Sequence, residues 1–130
     1  MTDDLMTIRQ MCEAFDVTPR TLRFYESREL LNPIREGTKR LFTRQDRGRL
    51  KLILRGKRFG FTLEELRQLL ELYDDTGRSL EQYSRAVEIG RKHLAEMQQQ
   101  RVELDTAIDE LKTQIEWGEQ IIAEHSRKTG

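Results

Sequence analysis

Cysteine is almost missing from this 130-residue chain: Cys12 is the only one, so no intrachain disulfide can form. A secreted scaffold held by disulfides is thereby excluded. Long apolar runs are also missing, and nothing approaches the roughly 20 residues that a membrane span requires. The opening MTDDLMTIRQ is acidic and polar rather than a basic region followed by an apolar one, so no secretory leader is expected and the cytoplasm is the expected compartment. There is no Gly-rich phosphate loop, no nucleophile–base pairing and no metal-ligating cluster, so neither an enzyme nor a cofactor is expected. Net charge is absent as well, with 23 Lys/Arg against 23 Asp/Glu, but this zero hides a segregation.

From Met1 to Gly60 there are 14 basic residues against 8 acidic ones; from Phe61 to Gly130 there are 9 against 15. Within Arg35 to Arg58, ten basic residues face only Glu36 and Asp46. Such local density favours a polyanionic partner. Charged residues make up 35% of the chain and hydrophobic ones 36%, which predicts one compact helical domain with an extension rather than a broad core.

Five Ser/Thr residues carry helix-start chemistry. Thr7 with Gln10, Thr62 with Glu65 and Ser79 with Gln82 form capping boxes, and Thr43 with Asp46 is a weaker version. Thr18 precedes Pro19, whose fixed φ suits the first helical position. Five helices are predicted. Ile8, Met11, Cys12 and Phe15 form a buried stripe on the first, which makes Cys12 a small core residue. Leu22, Tyr25 and Leu30 anchor the second; Leu50, Ile53 and Leu54 the third; Leu66, Leu69, Leu70 and Tyr73 the fourth. Between the second and third, Leu31–Ile34 and Arg40–Phe42 can pair as short strands around Glu36-Gly37-Thr38. The expected fold is all-α with a small β wing: a winged helix-turn-helix head over residues 1–76, then a long coiled-coil helix and short tail over 77–130.

Beyond Ser79 the pattern becomes heptad. Val87, Leu94, Arg101, Ile108, Ile115 and Ile122 recur every seven residues at a, and Tyr83, Gly90, Met97, Leu104, Leu111 and Gly118 at d. A lone helix with one apolar stripe needs a partner, so a homodimer is expected through Val87, Leu94, Met97, Arg101, Leu104, Ile108, Leu111 and Ile115. Gly118 is expected to end the helix after Trp117, giving about 36 residues and roughly 50 Å.

The run TPRTLRFYESRELLNPIREGTKRLFT is the most informative. It places Arg20, Arg23, Phe24 and Tyr25 within two turns of a helix small enough for a major groove, with a basic loop beside it for phosphates. Double-stranded DNA is the expected partner. Rival readings are an architectural protein that bends DNA without a dedicated promoter, and an interaction module whose coiled coil recruits another protein.

From Thr7 to Asp74 the chain resembles the MerR family of bacterial transcription regulators. TLRFYE is similar to the family's recognition-helix signature, RLFT to its first-wing strand and FGFTLEELRQLL to its fourth helix. The resemblance implies a homodimer joined by antiparallel long helices, bound to a pseudo-palindromic operator in an over-long promoter spacer. In response to an effector the dimer would bend and untwist that DNA and so act on RNA polymerase indirectly. It implies that Thr18, Arg20, Thr21, Arg23 and Phe24 face the groove and that Tyr25 touches backbone. Lys39 and Arg40 would belong to the first wing, and Arg55, Lys57 and Arg58 to the second. Phe24 and Phe42 stand where many members have Tyr; Phe42 is therefore ranked as structural, below Arg40 for DNA contact.

Metal-sensing relatives carry cysteines from the dimerisation helix onward, and residues 76–130 have none. His93 and His125, both expected at the surface, lie too far apart on one helix to share an ion. An iron–sulfur sensor needs four cysteines. The residues after Trp117 are too few for a drug-binding domain. The head most resembles a subgroup controlling branched-chain amino-acid and fatty-acid breakdown, which implies an acyl-CoA or related metabolite as effector; binding without an effector is the alternative.

Overall fold

A computed structural model describes residues 4–73 and 79–129. In chain order the elements are β1 (Met6–Thr7), α1 (Ile8–Phe15), α2 (Pro19–Ser27), β2 (Ile34–Glu36), β3 (Lys39–Phe42), α3 (Arg44–Arg58), α4 (Leu63–Tyr73) and α5 (Leu80–Thr129). The expected boundary at 76/77 lies outside the described residues. By internal contacts the chain divides into two units, Met1–Gly90 and Arg91–Gly130.

Every predicted helix start is present. Thr7 and Gln10 satisfy each other's backbone donors at the head of α1, and Thr43 and Asp46 form a full box at the head of α3. Thr62 with Glu65, and Ser79 with Gln82, do the same before α4 and α5. In each case side-chain oxygens occupy donors that the first helical turn leaves without a partner.

The core of the first unit is built from Met11, Leu22, Tyr25, Leu30, Leu31, Phe42, Leu50, Ile53, Leu66 and Leu70. Cys12 packs against it, and burial pushes its thiol pKa up while the nearby Arg23 charge pulls it down and Glu13 adds to the rise. Leu30 is buried as expected, but from the turn after α2, which ends at Ser27. Tyr73 is 41% exposed rather than buried.

The wing is a three-stranded antiparallel sheet in the order β1-β3-β2. Its hairpin begins at Ile34, later than the sequence suggested, because Pro33 offers no N–H to a ladder. The backbone N–H of Asn32 instead donates to Asp46 Oδ1 at 2.9 Å. Asp46 is 2% exposed, and its other oxygen accepts from the Thr43 N–H at 3.0 Å and the Thr43 hydroxyl at 3.1 Å. Glu36 pairs with Lys39, leaving Gly37 and Thr38 as a two-residue turn, and the positive φ of 64° at Gly37 suits its right-handed twist. Beta1 pairs Met6 with Phe42 and Thr7 with Leu41.

Alpha5 runs unbroken through Gly118, contrary to the expected stop at Trp117. One glycine costs about 1 kcal/mol relative to alanine, too little to end a helix whose following residues are good helix formers. At 1.5 Å per residue its 50 residues span about 75 Å. His93, expected at the surface, is 6% exposed, with Nδ1 3.9 Å from Glu96 Oε2.

Two glycines on α3 make a contrasting pair. A methyl group on Gly56 would overlap Leu66 Cδ2 and press to 3.1 Å on Phe61 Cδ2. Leu66 is 2% exposed, so its side chain must shift within the protein rather than out into solvent. A methyl on Gly48 would meet only the end of the half-exposed Tyr73 ring, which can swing outward. Gly56→Ala is therefore expected to destabilise by about 1–2 kcal/mol, overpacking offset in part by helix propensity, and Gly48→Ala by less. Urea titration of the two variants checks the order; a larger loss at Gly48 would mean that Tyr73 is held in place.

Candidate nucleic-acid interface

Alpha2 is set on α1 by a short turn. Asp16 closes α1 in the left-handed conformation at φ 54°, and its N–H donates to the Cys12 carbonyl. Thr18 then caps α2, accepting from the Thr21 N–H at 3.1 Å, with Pro19 in the first turn. Leu22 and Tyr25 are buried, at 0% and 1% exposure, and fix one face of the helix inward. The periodicity of the helix then forces Arg20, Arg23 and Phe24 outward, and all three are exposed.

Tyr25 differs from the expectation that it touches DNA backbone. Its side chain is packed in the core, where it anchors α2, and it has no surface to offer a phosphate. Arg28 was missed. It is exposed one turn after Phe24, with its guanidinium carbon 5.5 Å from the centre of the Phe24 ring, and the i, i+4 spacing was the available signal. Its carbonyl accepts from Arg67 Nη2 at 2.9 Å, which ties the end of α2 to α4.

The basic stretch from Arg35 to Arg58 is less free than its composition suggests. Arg35 and Arg40 both bond to Glu26, at 2.9 and 2.5 Å. Arg44 pairs with Asp4 at 3.1 Å, and Arg47 donates to the Asp4 carbonyl. Arg49 Nε donates to the Leu30 carbonyl at 2.7 Å. Five of the ten cations are thus bonded within the protein, Arg35 and Arg44 while remaining largely exposed. Lys39, Lys51, Arg55, Lys57 and Arg58 are exposed and make no salt bridge to a described residue. Arg55, Lys57 and Arg58 lie in the last turn of α3, where they also complement the helix dipole. The structure thus gathers Thr18, Arg20, Arg23 and Phe24 on one exposed helix face with Thr21 half-buried beside them, keeps Lys39 free at the hairpin turn, and draws Arg40 inward.

The expected seam residues on α5 are all exposed: Val87 52%, Leu94 50%, Met97 38%, Leu104 61%, Ile108 43%, Leu111 61% and Ile115 52%, with Arg101 also at the surface. No helix among the described residues is long and apolar enough to cross a membrane.

A helix-turn-helix with a sheet wing at its side and free cations on its outer helix defines a winged-helix DNA-binding protein. Residues 6–73 match the family described as MerR HTH family regulatory protein, and residues 47–114 that described as MerR, DNA binding. The chain belongs to the MerR family of transcription regulators. It is 39% identical over 70 residues to the transcriptional regulator ZntR of Escherichia coli K12, covering 52% of this chain and spanning about half (50%) of that relative's length. It is 30% identical over 113 residues to the transcriptional regulator PA4778 of Pseudomonas aeruginosa, covering 85% of this chain and 83% of the relative. The structure of PbrR691 from Ralstonia metallidurans CH34 in complex with lead(II) matches with a TM-score of 0.60 at 34% identity, over 82% of each chain.

Proposed function

We propose that this chain is a homodimeric, sequence-specific regulator that binds a pseudo-palindromic operator within a promoter spacer and bends and untwists it, acting on RNA polymerase through the DNA. The observation that supports it best is the outward face of α2, where Arg20, Arg23 and Phe24 stand opposite the buried Leu22 and Tyr25. Thr18, Thr21, Lys39, Arg55, Lys57 and Arg58 complete the proposed contact set. Bending without base contacts at the centre of the site is indirect readout, supplied by many backbone contacts from two heads. The dimer rests on the bare apolar row of α5. Within these 130 residues Cys12, in α1, is the one cysteine, so they hold no pair of thiolates for a soft metal.

Binding to the DNA upstream of the protein's own gene, against a shuffled fragment and across a salt series, tests the reading. A regulator is expected to prefer its operator by at least about 10³-fold. An architectural DNA bender would bind both fragments alike. Arg23→Ala is expected to weaken operator binding by roughly 10-fold or more while the dimer persists, since a guanidinium bidentate to guanine contributes about 1–3 kcal/mol of discrimination. Wild-type affinity in that variant removes Arg23 from the contact set.

A further inference from the structure

Glu26 is the one acidic residue of α2, and both of its oxygens are occupied by wing arginines. Arg40 Nε donates to Oε1 at 2.5 Å, while Arg35 Nε and Nη2 donate to Oε2 at 3.1 and 2.9 Å. Burial alone would raise the Glu26 pKa, but the hydrogen bonds and charges of Arg40 and Arg35 outweigh it and the carboxyl lies below its ordinary value. Arg35 and Arg40 are also direct cross-strand partners in the hairpin. Two like charges placed opposite each other destabilise a strand pair. One carboxylate from the neighbouring helix removes that conflict and, in the same geometry, fixes the hairpin to the helix.

We propose that Glu26 is a positioning residue that withholds Arg35 and Arg40 from phosphate, so that the wing meets DNA through Lys39 and at an angle set by α2. The proposal rests on the DNA-binding reading above. Without Glu26 the two guanidiniums would be free to grip any backbone, and sequence-independent affinity would rise at the expense of selectivity. Selectivity in this head thus comes partly from charge that is present and held back.

The slope of log affinity against log salt reads this directly, because each phosphate neutralised contributes about 0.9. The full-length protein would be titrated with a random-sequence duplex and with the upstream DNA. Lys39→Ala is expected to lower the slope by about 1, and Arg40→Ala or Arg35→Ala to leave it unchanged. Glu26→Gln is expected to steepen it by about 1–2 and to tighten binding to the random duplex several-fold, narrowing the preference for the upstream DNA. Circular dichroism confirms that each variant is folded, and Arg40→Ala tests the idea independently if Glu26→Gln does not fold. A wild-type protein that binds but loses slope in Arg40→Ala, as it does in Lys39→Ala, overturns the sequestration alone. An unchanged slope in folded Glu26→Gln also overturns it. A wild type with no salt-dependent affinity for either duplex overturns both this proposal and the reading beneath it.

Discussion

Replacing Leu104 with aspartate is expected to leave the protein monomeric at micromolar concentration and to remove most of its affinity for operator DNA. Leu104 is 61% exposed in the single chain, within a row from Leu94 to Ile115 whose large apolar members are all at least 38% exposed. A continuous apolar row of that length is rarely left in water by a soluble protein. Burial of one such leucine contributes roughly 1.5–3 kcal/mol, and a symmetric pair loses two of them. The variant also places two carboxylates in an apolar seam, so dimer affinity is expected to fall at least about 100-fold. A separated head keeps only half of the contacts, and operator binding falls with the dimer. Sedimentation velocity and DNA binding on the same sample check both parts. A variant that sediments as a dimer would place the association surface elsewhere on the chain.

The second large effect is expected in the head. Phe42→Ala should cost about 3–5 kcal/mol, in the range seen when a large aromatic is removed from a sealed core. Phe42 is 0% exposed, and it pairs with Met6 across the sheet at the point where the wing joins the core. A domain of this size holds only about 5–15 kcal/mol in all, so the melting temperature should drop on the order of 20 °C. Differential scanning calorimetry measures it. A drop below about 5 °C would mean that the surrounding side chains close the cavity.

What was legible in the sequence was mostly local. Four of the capped helix starts could be read because the capping residues are three positions apart, and the fifth, at Thr18, because Pro19 follows it. The buried face of α2 followed from the spacing of Leu22 and Tyr25, which also argues against a DNA role for Tyr25. What was not legible depends on partners distant in sequence. Glu26 finds Arg40, and Asp4 finds Arg44 and Arg47, only once the chain has folded. A count of basic residues therefore overstated the charge free to meet DNA. Beta1 is two residues long and leaves no alternation to detect. Gly118 misled for the opposite reason: a local propensity was read as decisive where the surrounding helix overrides it.

Asp46 shows how little room some positions leave for drift. An ionised carboxylate only accepts hydrogen bonds, and three donors converge on this one, from Asn32 and twice from Thr43. Asparagine would turn an NH₂ toward a donor, and alanine would leave the Asn32 and Thr43 N–H groups without their acceptor. The loop leaving α2 and the start of α3 are thus joined through the Asp46 side chain, and one turn further on Arg49 adds its bond to the Leu30 carbonyl.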